Sequence, residues 1–309
     1  MALIRMDAIG TKGRRHGAGP LPQEALSTPG PLVVMVHGYR FDPAQPRHCP
    51  HQHIFASHDA HPSYKARSWP RGLGIDCAGP RQLYGQIGGQ RHGLAFGWGA
   101  RGSIWQAHEE AARAGLALTG LLRTIHEHDP QREIHAIGHS LGARVILSAL
   151  PALAPGTLGR VLLLAAAEYA SVAEAALDSP AGRTARCLHV TSAENRVYDR
   201  MLGSVMPPAA PGDMVLGLAR LPGLPTLRLD APEHLAGLLA MGYDIAPPQR
   251  RICHWSSYLR PGVFDLYRDL TGRGGAALHA EVTGLTLHEC TFTPPRSWSI
   301  PLPWGANAS

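Results

Sequence analysis

The chain has 309 residues, a formal charge of +6, 44% hydrophobic and 17% charged residues, a balance found in folded domains and not in disordered polyelectrolytes. The positive charge is mostly arginine, scattered along the chain and not interleaved with aromatics, which argues against a nucleic-acid groove. Five cysteines with no CxxC pair suggest neither a disulfide framework nor a zinc knuckle.

Residues 1–19 contain arginines but no apolar core behind them, so no secretory leader is expected and a cytoplasmic address follows. The run "LVVMV" at 32–36, closed by His37-Gly38, predicts a buried strand. Residues 41–91 are irregular and rich in Pro, His, Gly and Arg, the composition of a functional or disordered loop. "HGLAFGWG" at 92–99 predicts a second strand. Residues 103–128 place Ile104, Ala107, Ala111, Ala114, Leu118, Leu121, Leu122 and Ile125 on one helical stripe, with Ser103 as cap and Pro130 as stop.

Next come "EIHAI" as a strand, "LGARVILSAL" as a helix, "RVLLLAA" as a strand, "SVAEAALDS" as a short helix and "RCLHVTS" as a strand. Continuous apolar runs alternating with helices imply a mostly parallel central sheet flanked by helices on both faces. The longest strongly apolar run, 161–167, is far short of the ~18 residues of a membrane span, so no stable membrane insertion is expected. Residues 206–249 read as a loop with helical patches, and "HWSSYLRPGVFDLYRDLTG" as a final helix. The expected organisation is an N-terminal segment 1–30, one α/β domain over 31–272 with long loops at 41–91 and 206–249, and an irregular tail over 273–309.

One segment breaks the pattern in a chemically useful way. Gly138-His139-Ser140-Leu141-Gly142 stands where a buried strand turns at once into a helix. Glycines two residues either side of a serine allow a turn too tight for larger neighbours. That turn lifts the hydroxyl off the sheet and points the helix N-terminus at whatever the serine attacks. A serine hydroxyl is a poor nucleophile at neutral pH, so it needs a base within hydrogen-bond reach.

This segment resembles the nucleophile elbow of the α/β-hydrolase family, and the order of elements from about 32 to 270 is similar to that family's. "FGWGARGSIW", "GHSLGARV", "LLLAAAEY", "VTSAENRVYD" and "CHWSSYLRPG" together resemble a bacterial subgroup of hydrolases of unassigned substrate. The resemblance implies the α/β-hydrolase fold and a serine hydrolase of the carboxylic-ester type. It implies Ser140 as nucleophile and, in the chain order Ser, acid, His, His254 as the base before the last helix. The acid is implied after the strand "RCLHVTS", where Glu194 stands, with Asp199 as alternative and Glu168, one strand earlier, as a third choice. Arg196 departs from the pattern, because relatives often carry another carboxylate there.

The anion formed at a carbonyl under attack needs donors aimed at it in advance, each worth about 3 to 4 kcal/mol. The backbone N–H groups of Leu141 and Tyr39 are the expected pair, with Gly38 letting substrate approach. No cofactor is implied. The segment 48–61 concentrates His48, Cys49, His51, His53, His58 and His61, but their spacing matches no closed zinc motif, so no metal is expected. The loop is expected to border a substrate entrance, with Phe55, Tyr64 and Trp69 as its apolar surface. No phosphate-binding glycine motif follows a strand. The expected partner is a small acyl or ester substrate, cleaved through an acyl-enzyme. The alternatives are an acyltransferase using the same residues and an inactive binding protein, the latter favoured if no carboxylate meets the imidazole.

Overall fold

The computed structural model describes residues 3–17, 19–57, 67–75 and 91–287. His58, His61, Tyr64, Cys77, Cys290 and the tail beyond 287 lie outside the described residues. Eight strands form one sheet in the order β2-β1-β4-β3-β5-β6-β7-β8. They are β1 (Leu3–Ile9), β2 (Lys12–Arg15), β3 (Leu32–Val36), β4 (His92–Gly97), β5 (Ile134–His139), β6 (Arg160–Leu164), β7 (Arg186–Thr191) and β8 (Thr226–Arg228). Every pairing is parallel except that of β2 with β1.

The continuous apolar runs have a direct cause. In β3, Leu32, Val34 and Val36 face one side while Val33 and Met35 face the other, and all five are buried. The first side is covered by α3 (Ile104–His128), α4 (Leu141–Ala149), α5 (Ala170–Leu177) and α6 (Pro180–Thr184), after a short α1 (Gln23–Ser27) and α2 (Trp69–Gly72). Beyond β7, α7 (Arg196–Val205) leads to the elements of the second side: α8 (Pro232–Ala240), α9 (Ser256–Leu259), α10 (Val263–Leu270) and α11 (Gly275–Leu287), which pack there with α2. Ser103 caps α3 through a capping box with Gln106, which fixes where the long helix starts. Among the described residues no helix is long and apolar enough to cross a membrane.

Four features differ from the sequence expectation. Residues 1–30 are not a separate segment, because β1 and β2 form the sheet's edge, with Leu3 to Asp7 in register with Gly93 to Gly97. The 206–249 loop contributes β8 and α8. The final helix is two helices, since Pro261 and Gly262 break it between Leu259 and Val263. The tail is not irregular at its start: α11 occupies Gly275–Leu287 and buries Val282 and His279.

Candidate active site

Ser140 stands between β5 and α4 with φ +56° and ψ −123°, a backbone conformation that costs a non-glycine residue about 1–3 kcal/mol. Its surroundings impose that conformation. The Ser140 N–H donates to Leu164 O (2.9 Å), and the Ser140 carbonyl accepts from Ala143 and Ala167 N–H. Neither flanking glycine can carry a side chain: a Cβ at Gly138 would strike Gly142 O, and one at Gly142 would strike the carbonyls of Val36 and His37. The turn thus packs directly against the end of β3.

His254 comes from the loop before α9. Its Nε2 is 2.9 Å from Ser140 Oγ, and its Nδ1 is 2.6 Å from Asn195 Oδ1. An amide oxygen only accepts, so the proton sits on Nδ1, and Nε2 presents its lone pair to the serine hydroxyl. The ring is sandwiched between Tyr198 (centroids 4.7 Å apart) and His139 (4.6 Å), and His139 Nε2 donates to the His254 carbonyl at 2.8 Å. Burial, with His139 close by, pulls the His254 pKa well below the usual imidazole value, so the ring is a neutral acceptor near pH 7.

The acid expected against this ring is elsewhere. Glu194 is buried and paired with Arg260 and accepts from Ser192 Oγ at 3.1 Å. Arg260 also donates to the Leu229 carbonyl, and the Glu194 carbonyl accepts the Cys253 N–H at 2.9 Å. The correction has a local cause. Residues Ala193–Asn195 form a 3-10 turn, which rotates successive side chains by about a third of a circle. Glu194 therefore faces the His254 loop's support, and Asn195 faces His254 itself. Asp199 does not touch the imidazole either. Its Oδ1 accepts from Asn195 Nδ2 at 2.8 Å, one helical turn along. Glu168, the third choice, is fully buried against Arg144 and accepts the Tyr169 N–H. Arg196 is exposed at the start of α7.

Asn195 is the residue that sequence reasoning missed. Its signal was the Asn–Asp pair four residues apart at a helix start, a spacing that lets the amide bond the carboxylate. Asp199 is buried in turn, and burial raises its pKa to about 7.

The β3 loop completes the arrangement. A Cβ at Gly38 would come within 2.8 Å of His139 O and 2.9 Å of Ser140 Cβ, so this backbone lies directly over the serine. Trp98 N–H donates to His37 Nε2 at 3.0 Å, which puts the His37 proton on Nδ1, where it donates to Gly38 O at 2.9 Å. That bond holds the Gly38–Tyr39 peptide plane, and in a trans peptide the Tyr39 N–H points opposite to the anchored carbonyl. Burial lowers the His37 pKa to about 3, so this clamp stays neutral. Leu141 begins α4, where the first N–H groups have no partner within the helix. A cleft of about 410 Å³ opens beside this loop, lined by Tyr39, Arg40, His48, Arg101 and Gly102.

A family model described as "Alpha/beta hydrolase of unknown function" matches residues 30–164, from the start of β3 through the serine turn to the end of β6. The chain has the α/β-hydrolase fold. Among solved structures, the chain is similar to phospholipase PlaB from Legionella pneumophila in complex with thio-NAD, with 13% identity and a TM-score of 0.41, over 83% of this chain and 62% of that one. It is also similar to a metagenomic carboxyl esterase, MGS0156, with 16% identity and a TM-score of 0.31, over 67% of this chain and 65% of that one. The chain thus spans less than two thirds of the length of either. No curated protein sequence matches it.

Proposed function

We propose that the protein is a serine hydrolase acting on a carboxylic ester or a related acyl compound. The observation that carries this reading is the 2.9 Å approach of His254 Nε2 to Ser140 Oγ on a strained strand-to-helix turn. Ser140 attacks the acyl carbon as His254 takes its proton. The oxyanion is received by the N–H groups of Leu141 and Tyr39, with Gly38 leaving room for it. His254 then returns the proton to the leaving alcohol. Water, activated by the same ring, releases the acyl group from Ser140. An acceptor other than water would make the protein an acyltransferase with the same residues.

The third member of the set is an amide. A free amide can turn either end toward an imidazole, and its NH₂ end would force the wrong tautomer. Asp199 removes that ambiguity by taking Asn195 Nδ2 and leaving Oδ1 for His254. The amide–imidazole pair is also the arrangement of papain-like sites, so the lack of a direct carboxylate does not by itself disable catalysis.

The test is activity-based labelling. A fluorophosphonate probe is expected to modify Ser140 alone, and p-nitrophenyl acetate turnover to fall by at least about 10³-fold in Ser140→Ala. A folded chain that neither labels nor turns over would favour the inactive binding protein, a reading to which the missing carboxylate contact gives some support.

A further inference from the structure

Away from the serine, four polar side chains from three separate segments meet at the carboxyl end of β1 and β4. Asp7 Oδ1 lies 2.7 Å from His51 Nε2, and Asp7 Oδ2 lies 2.7 Å from His16 Nδ1. One donor atom from each of the three lies within 4.8 Å of the other two. His51 is buried and Asp7 nearly so, while His16 sits at the rim with its side chain 30% exposed. The two imidazole rings are tilted by 44° to each other, with centroids 4.3 Å apart.

We propose that Asp7, His16 and His51 form a zinc site that fastens the N-terminal hairpin to the 43–56 loop. This inference is independent of the hydrolase reading. The donor set decides the metal class: two imidazoles and one carboxylate suit zinc and similar first-row cations, whereas magnesium and calcium prefer oxygen. A Cβ at Gly97 would fall 2.5 Å from Asp7 Oδ1, 2.7 Å from Pro43 Cγ and 3.0 Å from His51 Nε2, so only glycine lets these two donors close onto the end of β4. Tetrahedral ligands around zinc stand about 3.3 Å apart, so the two Asp7–imidazole contacts, at 2.7 Å, need to open by only about half an ångström.

A second layer is also present. His16 Nε2 faces the buried Cys49 sulfur at 3.8 Å. Hydrogen bonds of this kind hold an outer imidazole nitrogen in place once the inner one is a ligand. A motif search by spacing misses the site, because 7, 16 and 51 lie on a strand, a hairpin end and a loop turn.

The experiment uses the full chain, stripped with a chelator, reloaded with zinc, dialysed and measured by elemental analysis. One zinc per chain is expected, with a melting temperature that rises on zinc addition. Asp7→Asn and His16→Gln are each expected to weaken zinc at least about tenfold in competition with a chromophoric chelator. His16→Gln, at the rim, keeps the far-UV circular dichroism of the parent and so separates loss of metal from loss of fold. A natively folded chain that retains no zinc overturns the proposal, as does a folded His16→Gln variant with the parent's affinity.

Discussion

At the scale of single residues, the pair Asn195–Asp199 is expected to set the pH dependence of the proposed hydrolysis. The His254 pKa is depressed far enough that the ring is already a base below neutrality. Asp199, raised to about 7, ionises last. Only the carboxylate is an obligate acceptor for Asn195 Nδ2, so kcat/KM is expected to fall as pH drops through about 7. In Asp199→Asn that limb should move down with the imidazole, which a pH–rate profile of the two proteins would show. The linkage to stability has the opposite sense. A carboxyl whose folded pKa lies above its unfolded value binds extra protons in the native state between about 4 and 7. Its contribution to stability is therefore lost as pH rises through that window, and Asp199→Asn should melt higher than the parent at pH 8. The Ser140 turn was legible because its two glycines are a local signal, while the pairing with His254, seen here at 2.9 Å, rested on the chain order that the family resemblance implies. Asn195 was not, since only the rotation of a 3-10 turn decides which of two adjacent side chains meets the ring.

At the scale of elements, Glu194 and Arg260 join the end of β7 to the break before α10, and the Glu194 carbonyl holds the loop that delivers His254. Removing one partner of a buried ion pair leaves the other charge uncompensated, at a cost of about 3–5 kcal/mol. Glu194→Gln should accordingly lower the unfolding free energy measured by urea titration by an amount in that range. Its folded fraction should keep a kcat within about tenfold of the parent, where loss of a carboxylate orienting the imidazole would cost about 10⁴-fold. The five central parallel strands were legible because burial on both faces leaves long apolar runs. β8 has three residues, too few for any periodicity, and β1 alternates weakly, with Arg5 and Asp7 among its apolar positions. α11 escaped notice for a different reason: apolar and small residues surround the whole helix and leave no stripe to read.

At the scale of the whole molecule, the sheet ends in an antiparallel strand of sequence "KGRR". Charged outer strands discourage edge-to-edge pairing. Deleting residues 1–17 would uncover the β4 edge, including Leu94 and Phe96, which β1 now covers in register with Ile4 and Met6. The shortened chain is expected to elute as aggregate in size-exclusion chromatography at concentrations where the parent gives a single included peak.

The conformation of Ser140 has a broader consequence. Glycine would occupy that corner at ease, while serine sits there under tension maintained by β3, β6 and α4 together. Thermostability alone would give no reason to keep a hydroxyl at such a position. An idle corner would be free to relax by ordinary drift, so a lineage that abandoned chemistry should reveal it first at this residue.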